Sequence, residues 1–110
     1  MSAELPSEFS IEERRHGATV VLELHGELDL VSAERVAARL AHLRADGVPV
    51  LLDLDELDFM DSSGLRMLLN AAEASDAGDW QFSLTHGPEQ VRRLFESTHV
   101  TERLPIVPRP

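Results

Sequence analysis

The segment Phe59-Met60-Asp61-Ser62-Ser63-Gly64-Leu65 sets a carboxylate and two hydroxyls where a polar stretch gives way to an apolar helical period. On the first turn of a helix such groups meet backbone amides without intrahelical partners, and the positive end of the dipole favours negative charge. A phosphoryl group on a serine is compatible with that position. The same residues also suit a purely structural role, with Asp61 as N-cap and the serines as ordinary first-turn residues. Phe59 and Met60, just before the cap, read either as a hydrophobic staple or as a partly exposed apolar anchor beside the serines. Gly26-Glu27-Leu28-Asp29 is the second candidate. It reads as a turn with solvated acids or, if it faces the Asp61 loop, as part of an acidic rim. In that rim Glu27, Asp29 and Asp61 would steer a basic partner or receive a metal-bound phosphate donor.

Other chemistries fit these residues poorly. Ser62, His86 and an Asp could meet at one sheet edge, but a nucleophile elbow needs glycines two residues either side of its serine. Around Ser62 those places hold Met60 and Gly64, and around Ser63 they hold Asp61 and Leu65. The acidic run Asp53, Asp55, Glu56, Asp58, Asp61 lacks the glycine and glutamate of a calcium loop, so it reads as a solvated loop around Leu57, with no metal site expected. His16, His25, His42 and His99 are scattered without a zinc-helix motif and read as surface or strand residues. The 110 residues contain no cysteine, which excludes disulfides and thiol nucleophiles, and no lysine, which excludes Schiff bases and a P-loop. A formal charge of −10 repels phosphate backbones, so nucleic acid is not an expected partner, whereas a basic protein surface is.

Three strand-to-helix units are expected to position the candidate groups. Residues 1–8 are polar and read as a loose tail with no signal region. From Phe9 an alternating pattern passes through a turn at residues 14–17 into Val20, Leu22 and Leu24, giving a hairpin that Gly26 breaks. Ala33, Val36, Ala37, Leu40 and Leu43 follow at helical spacing, with Ser32 as cap and Gly47 as terminator. Residues 48–54 form the near-continuous apolar run of a strand buried on both faces. Residues 55–63 read as a loop, and a second helix begins at Asp61 or Ser62 and ends near Gly78. A strand over residues 80–85, a third helix beginning at Pro88, and an edge strand at Ile106-Val107 complete the order ββαβαβαβ. This is an α/β class chain, one domain over residues 9–107, with a mixed, mostly parallel sheet and a short tail at residues 108–110. Loops leaving the carboxyl ends of parallel strands share one edge, and they include both candidate segments. No stretch reaches the ~20 apolar residues of a membrane span, and the chain is expected to be soluble and cytoplasmic.

Gly26-Glu27-Leu28-Asp29, the apolar strand at residues 50–54, Phe59-Met60-Asp61-Ser62-Ser63-Gly64-Leu65 and Val91-Arg92-Arg93-Leu94-Phe95, in this order and spacing, resemble the STAS family. The resemblance is to its bacterial anti-sigma-factor antagonists. It implies a partner switch and no enzyme activity or cofactor of the chain's own. The unphosphorylated antagonist binds an anti-sigma factor that is also a serine kinase, holding ATP and Mg itself, and thereby frees the sigma factor. Phosphorylation of the serine after the Asp ends the binding and a serine phosphatase restores it. Carried over, Ser62 is the acceptor. Glu27, Asp29, Phe59, Met60, Asp61, Ser63 and Gly64 belong to the partner surface. Two departures stand out: His99 occupies a place where many relatives end the third helix with glycine, and the final helix of many relatives has no counterpart after Val107. The competing function within the same fold is an accessory STAS subunit of a transporter or sensory complex, with Ser62 merely a helix-start residue.

Overall fold

The computed structural model describes residues 9–78 and 80–109. The expected tail at residues 1–8 lies outside the described residues. The elements in chain order are β1 (Ser10–His16), β2 (Thr19–Leu28), α1 (Leu30–Ala45), β3 (Val50–Asp53), β4 (Leu57–Met60), α2 (Ser62–Asp76), β5 (Phe82–Leu84) and α3 (Glu89–Ser97), followed by a 3-10 turn at Thr101–Arg103. The hairpin, the three helices and the mostly parallel sheet stand as the sequence implies. The strands lie in the order β1-β2-β3-β5, antiparallel at β1–β2 and parallel elsewhere. Ile106 adds a single parallel bridge to Leu84 in place of a full edge strand.

Several boundaries move: β5 is only Phe82–Leu84, Pro88 caps α3 instead of starting it, and three further shifts have a local reason. β1 runs through Arg14 and Arg15 to His16, because these residues pair with Val21, Val20 and Thr19, and the tight turn falls at Gly17 with φ +66°. β2 does not stop at Gly26. Gly26, at φ +98°, takes a bulge between itself and Glu27, and the strand continues to Leu28. The cap of α1 is Asp29, not Ser32, which sits three residues into the helix.

The larger difference is β4. The stretch expected as loop turns sharply after β3, with the Leu57 amide donating to the Leu54 carbonyl at 3.1 Å. It then pairs parallel with the far half of β2, Gly26 with Leu57 and Leu28 with Met60. β2 therefore carries β3 and β4 one after the other along the same edge. Only Leu57 and Met60 of β4 are buried, which is too short a signal to stand out among Asp55, Glu56 and Asp58.

The main core lies between the sheet and the helices. Leu22, Leu24 and Leu28 of β2 meet Leu52 and Leu54, Val36 of α1, Leu68 of α2 and Phe95 of α3, all with essentially no exposed surface. All four residues of β3 are buried, as its apolar run requires. At the end of α3, His99 adopts φ +60°, the left-handed position where glycine costs least. α3 thus ends at Ser97, two residues before a side chain held in a conformation that disfavours one.

Candidate functional site

The β2–β4 pairing brings two helix starts together. Leu28 and Met60 are partners across the ladder, and the residues that follow them, Asp29 and Asp61, are the N-caps of α1 and α2. The Asp61 amide donates to the Leu28 carbonyl at 3.2 Å, locking the two caps side by side at the carboxyl ends of parallel strands. The two candidate segments of the sequence therefore share one edge.

Each cap is satisfied by its own helix. Asp61 Oδ1 accepts from the amides of Ser63 at 2.8 Å and Gly64 at 3.3 Å. Asp29 and Ser32 form a reciprocal capping box: the Ser32 amide donates to Asp29 Oδ1 at 3.1 Å, and the Asp29 amide donates to Ser32 Oγ at 2.8 Å. The single Ser32 hydroxyl proton has the Glu27 carbonyl at 2.7 Å and the Asp29 carboxylate at 2.9 Å as acceptors. Hydrogen bonds from the Ser32 amide and hydroxyl hold the Asp29 carboxyl below the ordinary aspartate value of 3.8.

The serines differ in accessibility. Ser62 is exposed and Ser63 half-buried. Gly64 is buried, and a Cβ there would lie 2.9 Å from Leu28 Cγ and from Met60 Cγ. The glycine of this motif is therefore required by close approach of α2 to β2, with no special dihedral involved. Met60, taken with Phe59 as an outward anchor, turns into the core at 6% exposure, while Phe59 points out at 46%. Met60 and Gly64 support the surface from beneath and offer little of it to a partner. Glu27, Asp29 and Asp61 are half-buried.

Leu30 and Val31, absent from the sequence candidates, are 60% and 69% exposed in the first turn of α1. With Phe59 they are the exposed large hydrophobic residues among those described, and all three flank the paired caps. Val31 carried a legible signal. It shares a helical face with Glu34, Arg35 and Ala38, away from the buried stripe Ala33, Val36, Leu40 and Leu43.

His86 Nδ1 contacts the carbonyl of Gly87 at 2.6 Å, and no hydrogen bond joins it to Ser62 among the described residues. The acidic run is not uniformly solvated, because Asp53 is fully buried on the sheet face beneath Arg109. Arg109 Nε donates to Asp53 Oδ2 at 2.9 Å, and Nη2 donates to Glu23 Oε2 at 2.8 Å and Glu56 Oε2 at 3.1 Å. Arg14 adds a second guanidinium 3.4 Å from Glu23. Burial works to raise the Glu23 carboxyl, but the hydrogen bond with His25 and the charge of Arg14, together with Arg109, outweigh it and hold the group below its ordinary 4.5.

A family model described as "Mlab, STAS domain" matches residues 11–108. The chain belongs to the STAS-domain family. Among curated proteins, this STAS domain is similar to the anti-sigma F factor antagonist of Lysinibacillus sphaericus, 30% identical over 80 residues that cover 71% of this chain and 68% of that protein. Among solved structures it resembles an anti-sigma factor antagonist from Mycobacterium paratuberculosis, with TM-score 0.78 and 24% identity over 97% of this chain and 92% of that one. It also resembles the anti-sigma factor antagonist SpoIIAA in its unphosphorylated form, with TM-score 0.71 and 25% identity over 92% and 89% of the two chains. SpoIIAA is known in a phosphorylated form as well, similar to this STAS domain at TM-score 0.67 and 24% identity over 92% of each chain. No helix among the described residues is long and apolar enough to cross a membrane.

Proposed function

We propose that this STAS domain is an anti-sigma-factor antagonist: it binds a kinase-type anti-sigma factor, releases the sigma factor, and is switched off by phosphorylation of Ser62. The observation that carries the reading is the exposure of Ser62 at the first position of α2, beside the paired caps and amid exposed Leu30, Val31 and Phe59. Similarity to anti-sigma factor antagonists, one of them known with and without phosphate, supports it.

The physical switch follows from placement. Phosphoserine carries about −1.5 to −2 charges at neutral pH, and at a helix start the free amides and dipole accommodate it. The domain itself therefore keeps its fold. A docked partner does not tolerate it. Covering the apolar side chains around Ser62 would force the phosphate out of water among carboxylates that repel it, and a loss of 1.4 kcal/mol is already about tenfold in affinity. Glu27, Asp29, Phe59, Asp61 and Ser63 form the contact surface, with Leu30 and Val31 added. The domain is a substrate and no enzyme. The partner kinase supplies ATP and Mg, a serine phosphatase resets the switch, and the cycle runs in the cytoplasm.

Affinity capture with the wild type, Ser62→Ala and Ser62→Asp tests the reading, with bound proteins identified by mass spectrometry. Wild type and Ser62→Ala are expected to hold a small ATP-binding kinase that Ser62→Asp loses, and that kinase with ATP is expected to phosphorylate Ser62. Retention of one transporter component by all three forms, or phosphate on Ser63 alone, overturns it.

A further inference from the structure

From the mouth formed by Leu30, Ser62 and Ser63, an open groove of about 560 Å³ runs between α1 and α2 to Trp80. Its floor and walls include Ala33, Ala37, Ala41, Met67 and Ala71. α1 thus presents two stripes. Ala33, Val36, Leu40 and Leu43 face the core, while Leu30, Glu34, Ala37, Ala41 and Arg44 recur at three- and four-residue intervals along the groove. The lined stretch of α1 is about 20 Å long, close to four helical turns. Alanines at Ala37, Ala41 and Ala71 leave room for another backbone to approach.

The charge around the mouth selects the occupant. The caps Asp29 and Asp61 directly precede Leu30 and Ser62 of the mouth, Glu27 and Asp58 lie on the same two segments, Glu34 adds a carboxylate on the groove wall, and the cations of the lining are Arg66 on α2 and Arg44 toward the end of α1. None of those five acids makes an ion pair among the described residues. Hydrogen bonds from Ser32 hold the Asp29 carboxyl below its ordinary 3.8, so it is charged at neutral pH. An anionic amphiphile would meet that collar unfavourably. A helix with an apolar stripe and basic flanks meets both the groove and the collar.

We infer that the α1–α2 groove is a docking site for an amphipathic helix of a protein partner, its apolar stripe covering Ser62 and lying against Ala37, Ala41 and Ala71, and its basic flank on the α1 side, toward Asp29 and Glu34. The inference rests on the reading of the Ser62 edge as the partner face and extends that face along both helices.

The full chain offers its own reporter, because Trp80 is the single tryptophan and lies at the far end of the groove. The probe is an 18-residue helical peptide of Leu and Lys, with Leu at i, i+3, i+4 and i+7, compared with the same peptide carrying Glu for Lys. Saturable change in Trp80 emission is expected with the Lys peptide, with affinity at least tenfold weaker for the Glu peptide. Ala41→Arg and Ala37→Arg place a long side chain in the groove at exposed helical positions and are expected to weaken binding at least tenfold. Ala38→Arg adds the same charge outside the groove lining and is expected to change affinity less than threefold; circular dichroism monitors the fold of each. Undiminished binding by both groove variants, equal loss in Ala38→Arg, equal binding of the Glu peptide, or no change in Trp80 emission overturns the inference. The Ser62 switch fails separately, as absence of phosphoserine after incubation with kinase and ATP, and that result leaves peptide binding by Ser62→Ala unaltered.

Discussion

Asp53 and Asp61 come from one acidic stretch and end in opposite environments. Asp61 is half-buried and answered within its own helix by the amides of Ser63 and Gly64. Asp53 has no exposed surface, accepts one local amide from Asp55 at 3.0 Å, and otherwise depends on Arg109, 56 residues away in sequence, at 2.9 Å and on Arg14 at 3.9 Å. A carboxylate satisfied by local backbone can sit at an accessible edge and leave its neighbouring hydroxyl free for modification. A buried carboxylate whose charge is answered by guanidiniums far away in sequence is a structural clasp. The paired caps are therefore where change in charge is tolerated, and the Arg109 cluster is where it is not.

The clasp should yield the largest effect. Arg109→Ala strips a hydrogen-bonded cation from buried Asp53 and from Glu23. Its expected cost is about 2 kcal/mol, below the usual 3–5 for a buried pair because the guanidinium is partly solvated and Arg14 remains nearby. Urea denaturation measures it. Arg109→Lys should recover only part, since an ammonium cannot bridge both carboxylates in the same plane. Full stability in Arg109→Ala would erase the distinction between the two regions.

Gly64→Ala should act at the other region through packing alone, costing about 1–2 kcal/mol as the new methyl displaces Leu28 and Met60. Because the same shift moves the start of α2, phosphorylation of Ser62 should slow in this variant, which a timed kinase assay reads. The caps should cost less. Asp61→Ala and Asp29→Ala each remove a side-chain acceptor from a helix start, about 1 kcal/mol apiece in thermal or urea melts. Loss of several kcal/mol at either cap would make the edge a clasp as well.

The smallest contrast lies in acid. Glu23 and Asp29 both have folded-state carboxyls below their ordinary 4.5 and 3.8, so their contributions are present above those values and fade as pH falls through the lower folded values. Wild-type stability should therefore decline below pH 4.5. In Arg109→Ala the Glu23 part of that decline should shrink only slightly, because His25 and Arg14 lower that carboxyl more and remain, while the Asp29 part below pH 3.8 is unchanged, as acid titrations monitored by circular dichroism would show.

What the sequence determined by itself is what short-range physics encodes. The helical period of α2 with Asp61 as its cap, the buried apolar run of β3, and the hairpin all depend on neighbours within a few residues, and the same short range sets Asp61-Ser62-Ser63-Gly64 on a first helical turn. Tertiary structure alone decided the rest. β4 exists because β2 extends past its bulge and offers a free edge to two buried residues. The caps of α1 and α2 are neighbours only through that ladder. Leu30 opens the groove stripe of α1 and faces solvent, because the groove has no covering element among the described residues. Arg109 finds Glu23 across 86 residues, a contact that no local period, cap or turn anticipates, since burial of Asp53 is fixed by the strands on either side and not by its neighbours in sequence.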